Sequence, residues 1–168
     1  MMHPRLGGRM GDASMIDLNM SVALADVNAT EALGARIGRA LRAGDLVALD
    51  GPLGSGKTCL VRGIAQGMGI DPALVTSPSF ILMQRYVAGA VGLVHMDAWR
   101  MRSEQDLADL GLDEILASRC DVVAIEWPHK IASALPTSLV HITIATGPDN
   151  TRVVRVEDQR ERGAVRGD

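Results

Sequence analysis

Gly51-Pro52-Leu53-Gly54-Ser55-Gly56-Lys57-Thr58 has the residue types and spacing of G-x-x-x-x-G-K-[ST], a loop that cradles phosphate. Glycines let the main chain turn until its N–H groups face one concave nest, and a helix N-terminus behind them adds partial positive charge. In such a loop the backbone around Leu53, Gly54, Ser55 and Gly56 holds phosphate oxygens. Lys57 reaches the β- and γ-phosphates, and the Thr58 hydroxyl binds Mg²⁺. The competing reading is a glycine-rich turn that matches by chance. Only two lysines occur in the chain, Lys57 and Lys130, and one of them falls in the motif.

A nucleoside triphosphate site also needs acids for the metal and the attacking water. Two apolar stretches end in carboxylates: Leu93-Val94-His95-Met96-Asp97 and Val122-Val123-Ala124-Ile125-Glu126. Ligands of open α/β sheets gather outside the carboxyl ends of strands, so Asp97 and Glu126 can both face the phosphates. Read blandly, Asp97 caps a following helix and Glu126 is a surface charge. Ser77-Pro78-Ser79-Phe80 offers hydroxyls on a stiffened loop that can sense a γ-phosphate, or a mere connection. His95 and His129 lack a second ligand at metal spacing and read as packed or exposed histidines. Arg100 could neutralise developing charge or form a surface ion pair.

These residues need elements to position them. Asn28-Ala29-Thr30-Glu31 reads as a capping box that starts a helix. Leu33, Ile37 and Leu41 then recur at helical spacing, Arg36, Arg39 and Arg42 face outward, and Gly44 supplies a left-handed stop. Residues 46–50 read as a strand buried on both faces. Leu60, Val61, Ile64, Ala65 and Met68 stripe a helix that ends at Gly69. Residues 71–79 form a Pro-punctuated loop. Strands follow at 81–87, 93–97, 122–126, 139–145 and 152–156, with a helical stretch over 103–117. This alternation predicts a three-layer α/β sandwich with a mostly parallel central sheet, and the turn between the last two strands predicts an antiparallel hairpin at one edge.

Composition narrows the function classes. At 168 residues the chain holds one domain, read as residues 17–156 between a Gly-rich flexible leader (1–16) and a polar, disordered tail (157–168). Apolar residues make up 47% and mean hydropathy is +0.14, which excludes disorder throughout. With net charge −3 there is no overall positive field for nucleic acid or anionic lipid, and contact with nucleic acid must be local or made by a partner. Two Trp, one Tyr and one Phe exclude an aromatic stacking platform for single strands. Cys59 and Cys120 make neither a disulfide framework nor a zinc site, which points to a reduced, cytoplasmic setting. No unbroken apolar run has the length of a membrane span.

Beyond the phosphate loop, Gly-Asp-Leu-Val-Ala-Leu-Asp-Gly, Leu-Gly-Ser-Gly-Lys-Thr, Ser-Pro-Ser-Phe, His-Met-Asp-Ala-Trp-Arg, Asp-Leu-Gly-Leu-Asp-Glu and Ile-Glu-Trp-Pro follow in order. In this combination the chain resembles the TsaE (YjeE) family, small P-loop ATPases of bacterial tRNA threonylcarbamoyladenosine synthesis, over residues 22–156. The resemblance implies that ATP and Mg²⁺ are the cofactors. It further implies that Thr58 and Glu126 hold the metal, that Asp97 is a catalytic or water-positioning acid near the γ-phosphate, and that Ser77 and Ser79 belong to a switch. Thr30 and His129 match family positions near the nucleotide, and Cys59 follows Lys-Thr in the nucleotide-binding run. Two positions depart from the family pattern. Pro52 stands where an acid is usual, and Cys59 where a second Thr is usual; Pro52 has no N–H, and a thiol is the poorer donor. The resemblance also implies a complex with TsaB and TsaD, reaching tRNA through those partners. A free-standing small-molecule kinase shares the size and the cradle, yet no Arg-rich lid is identifiable. A GTP switch would need an Asn-Lys-x-Asp motif, which the sequence lacks.

Overall fold

The protein is described by a computed structural model over residues 18–161. The order is β1 (Met20–Leu24), α1 (Val27–Ala40), β2 (Leu46–Asp50), α2 (Lys57–Gly67), β3 (Met83–Val87) and β4 (Gly92–Asp97). It continues with α3 (Glu104–Asp109), α4 (Leu112–Ser118), β5 (Val122–Glu126), β6 (Val140–Thr146) and β7 (Arg152–Asp158). All seven strands form one sheet in the order β1-β7-β6-β2-β5-β4-β3.

The four central strands, β6, β2, β5 and β4, run parallel, as the alternation predicts. Their side chains divide between two cores. Val47, Leu49, Leu93, Val122, Ala124 and Ile142 pack with Leu33 and Ile37 of α1 and Leu60 and Ile64 of α2. Leu46, Ala48, Val94, Met96 and Ile125 pack on the other face with Leu107 and Leu112. The sandwich is therefore three-layered. Antiparallel pairs close both sides: β3 on β4, and β7 on β6. The β6–β7 hairpin is not the edge itself, because β1 pairs outside β7 with Val22 opposite Val154.

Local signals shift at several boundaries. Asp26, not Asn28, caps α1, with its Oδ1 accepting from the Ala29 N–H at 2.8 Å. The 28–31 capping box is thus absorbed into the first turn. Gly44 has φ +87° but lies in the turn to β2, after the helix has ended at Ala40. The stretch 103–117 is two helices, because Gly111 at φ +67° interrupts the run and starts α4. Residues 157–161, read as tail, are ordered: β7 continues to Asp158, and the Arg160 guanidinium bridges Asp45 (2.6 Å) and Asp158 (2.7 Å). The leader 1–16 and the rest of the tail lie outside the described residues. No helix among the described residues is long and apolar enough to cross a membrane.

Helices α1 and α2 meet backbone to backbone. A Cβ on Gly63 would lie 2.2 Å from the Glu31 carbonyl oxygen, and one on Gly38 would lie 2.2 Å from that of Ile64. Only glycine permits this approach. The contact seats α2, whose first turn carries Lys57 and Thr58, against α1.

Candidate functional site

Strand β2 ends at Asp50, and the chain turns through loop 51–58 into α2. Gly54 and Gly56 have φ of +75° and +105°, a region that L side chains rarely adopt. Gly56 caps α2 without any side-chain hydrogen bond, so the first-turn N–H groups are left to a partner from outside the helix. The loop is braced from below. A Cβ on Gly51 would meet the Ile144 carbonyl oxygen at 2.6 Å, and Arg152 of β7 donates to the Ser55 carbonyl at 3.0 Å. Pro52, whose missing N–H departs from the family pattern, serves as an acceptor. Its carbonyl takes the Ser55 N–H (3.1 Å) and the Lys57 ammonium (3.0 Å).

Lys57 is only 4% exposed, and its Nζ also donates to Gly51 O at 2.7 Å and lies 3.8 Å from the centroid of the Trp127 ring. Burial lowers its pKa below the ordinary 10.5, while the charges of Glu126, Asp97 and Asp50 oppose that shift. Three carboxylate charges thus act on one buried cation.

The parallel register sets Asp97 opposite Glu126 at the carboxyl ends of β4 and β5. Both are buried, at 3% and 4% exposure, so Glu126 is not a surface charge. Thr58 Oγ1 donates to Glu126 Oε1 at 2.8 Å. Asp97 Oδ1 accepts from the Trp99 N–H (2.9 Å), and Oδ2 accepts from the Ser79 hydroxyl (2.7 Å). Ser79 in turn lies 2.7 Å from the Ser77 hydroxyl. Asp97 is therefore linked to the 77–80 loop and does not cap a helix; α3 has its own cap in Ser103.

Mg²⁺ and a triphosphate fit these groups. A hydroxyl and a carboxylate at hydrogen-bond distance are the hard oxygen donors Mg²⁺ prefers, with substrate phosphates completing its shell. No cluster of three or more His, Cys, Asp or Glu among the described residues could cage a metal alone. Ser55 Oγ, buried in the loop, has no hydrogen-bond partner, as expected of a group beside an anion site.

Not every candidate residue points inward. The Thr30 hydroxyl is buried and donates to Asp26 O one turn back (3.0 Å). The Cys59 thiol contacts Val27 O at 3.7 Å, and burial followed by the Glu31 charge pushes its pKa up. The Cys59 contact sets the first turn of α2 against the start of α1. His129 Nδ1 donates to Asp50 Oδ1 (2.9 Å), and its ring packs edge-on to Trp127. His141 holds Asp50 Oδ2 at 2.9 Å. Burial alone would raise the Asp50 pKa, but the hydrogen bonds and charges of the two histidines outweigh it and leave the carboxyl below its ordinary range.

The family model for "Threonylcarbamoyl adenosine biosynthesis protein TsaE" matches residues 24–154, a span that contains the loop, both acids and the 77–80 segment. The chain belongs to the TsaE family. It is 40% identical to the tRNA threonylcarbamoyladenosine biosynthesis protein TsaE of Treponema pallidum over 123 residues, which cover 73% of this chain and 89% of that protein. Its namesake in Streptomyces coelicolor is 40% identical over 140 residues, covering 79% and 93%. The fold matches the crystal structure of Bacillus subtilis YdiB with a TM-score of 0.69 and 28% identity, over 84% of this chain and 86% of that one. Family membership supports a role in tRNA threonylcarbamoyladenosine biosynthesis.

Three contributors escape the sequence reading: Trp127 lies beneath Lys57, Arg152 braces the loop, and His141 holds Asp50. His95, read as a packed or exposed histidine, is fully buried, and its contact with Glu126 was not foreseen. Only His95 left a local signal: two residues before Asp97 on a strand, it must share that residue's face.

Proposed function

We propose that this chain binds ATP with Mg²⁺ in loop 51–58 and hydrolyses it, supporting repeated threonylcarbamoyl transfer to tRNA by a complex with TsaB and TsaD. The observation that carries this reading is the 2.8 Å pair of Thr58 Oγ1 and Glu126 Oε1 beside the uncapped start of α2. Loop amides and the first-turn N–H groups of α2 would bind the triphosphate, and Lys57 would move from the Gly51 and Pro52 carbonyls to the β- and γ-phosphates. Mg²⁺, held by Thr58 and Glu126, would neutralise charge that develops on the phosphoryl oxygens. Asp97, once Ser79 releases its Oδ2, can orient a water and accept its proton. The Ser77–Ser79–Asp97 chain thereby couples the loop's position to the catalytic acid, which is the sense in which it is a switch.

Net charge −3 agrees with a component that leaves tRNA contact to its partners. The test is reconstitution of the modification with TsaB, TsaD and tRNA, with and without this chain, comparing one catalytic cycle with many. The proposal expects this chain and hydrolysable ATP to be required for many cycles. Equal product without the chain over many cycles overturns it.

A further inference from the structure

Strand β4 buries a histidine inside an otherwise apolar run, and apolar packing does not explain the choice. His95 has no exposed surface, shares the α2-side face of the sheet with Leu93 and Asp97, and neighbours Ala124 of β5 in register. Its Nε2 lies 2.9 Å from Glu126 Oε1, while Nδ1 is buried with no hydrogen-bond partner. An ionised carboxylate only accepts, so Nε2 must carry the proton.

Two donors, Thr58 Oγ1 and His95 Nε2, converge on Glu126 Oε1 from α2 and from β4. Among the described residues no hydrogen bond reaches Oε2. Held by one oxygen from two sides, the carboxylate loses its rotational freedom and keeps the other oxygen for a cation. Building on the Mg·ATP reading above, we propose that His95 is a positioning residue for the metal ligand Glu126, acting through its Nε2–H. Outer groups that orient a metal-bound carboxylate typically change metal affinity 10- to 100-fold when removed.

The test pairs His95→Leu, which keeps bulk and removes the donor, with His95→Gln, whose side-chain amide can place a donor near the position of Nε2. ATP binding is titrated by calorimetry over a range of Mg²⁺ concentrations and in chelator, on folded protein checked by circular dichroism. His95→Leu is expected to raise the Mg²⁺ concentration for half-maximal tight binding by about tenfold. Affinity in chelator should stay near wild type, and His95→Gln should recover most of the Mg²⁺ effect. An unchanged Mg²⁺ requirement in His95→Leu overturns the proposal. So does an equal loss with and without Mg²⁺, which would make His95 a packing residue only.

Imidazole ¹⁵N NMR of the nucleotide-free wild type is the second readout. It should show the Nε2–H tautomer for His95, with a proton signal that moves in Glu126→Gln. The opposite tautomer overturns the clamp. If wild-type protein fails to bind ATP at any Mg²⁺ concentration, the nucleotide reading and the metal role built on it both fall. The NMR signature separates that failure from a failure of the clamp itself.

Discussion

Replacing Lys57 by alanine removes a buried cation on which the charges of Glu126, Asp97 and Asp50 act. In the nucleotide-free protein its ammonium is already satisfied by the Gly51 and Pro52 carbonyls, at 2.7 and 3.0 Å, and by the Trp127 ring. Its contribution to binding is therefore an exchange: two hydrogen bonds to neutral carbonyls are given up for two to phosphate oxygens. Bonds with one ionised partner contribute about 1.5–3 kcal/mol each, and the ammonium is charged in both arrangements, so an anionic acceptor moves each bond from the lower to the upper end of that range. The exchange then yields about 1.5 kcal/mol per bond, or about 3 kcal/mol in all. At 1.4 kcal/mol per tenfold, Lys57→Ala should weaken Mg·ATP binding by about a hundredfold or somewhat more. Two buried carboxylates left facing the triphosphate push the loss upward. Calorimetry on wild type and variant, with circular dichroism to confirm the fold, measures it. An affinity within about threefold of wild type would refute the assignment of Lys57 to the phosphates.

Glu126→Gln should retain ATP binding only at saturating Mg²⁺, with a Mg²⁺ requirement raised at least as far as in His95→Leu, and should reduce orthophosphate release by about a hundredfold, because a metal ligand also acts on charge developing in transfer. Wild-type release would remove Glu126 from the mechanism. Gly63→Ala sets about 1 kcal/mol of gained helix propensity against overpacking that costs about 1–3 kcal/mol, or more where the obstacle is backbone at 2.2 Å. The net loss of about 2 kcal/mol should lower the melting temperature by about 4–8 °C, and an unchanged or higher value in calorimetry would contradict the glycine contact. Asp121 is held by the Arg85 guanidinium, which together with the Gly92 N–H keeps its pKa below the ordinary 3.8 despite partial burial. Its depressed folded pKa means the pair stabilises above that ordinary value and fades as pH falls through the folded one. Asp121→Asn should therefore melt modestly below wild type at pH 7, with the gap closing below pH 3.8; a gap independent of pH would contradict the ion pair.

Sequence legibility followed how local each cause is. Strands β2 and β5 coincide with the residues read from sequence, because burial on both faces writes an unbroken apolar run that ends at Asp50 or Glu126. Loop 51–58 and α2 were legible for the same reason: glycine conformation, cap and helix stripe are all adjacent in the chain. Strand β1 was not, since two of its five residues are exposed and its place is set by β7, more than a hundred residues away. Asp26 outcompeted Asn28 as a cap through a geometry that composition does not encode. The placement of Arg160 comes from its contact with Asp45, more than a hundred residues away. At the site, the acids were legible as strand ends, whereas the partnership of His95 with Glu126 needs the register between β4 and β5 before it can be seen.

If one loop and two strand ends hold a triphosphate beside a divalent cation, a crystal structure with Mg²⁺ and a nonhydrolysable ATP analogue should show β- and γ-phosphates against the first turn of α2, Lys57 Nζ transferred to them, and the cation bound by Thr58 Oγ1 and Glu126. Phosphates seated elsewhere, or a cation touching neither residue, would contradict it.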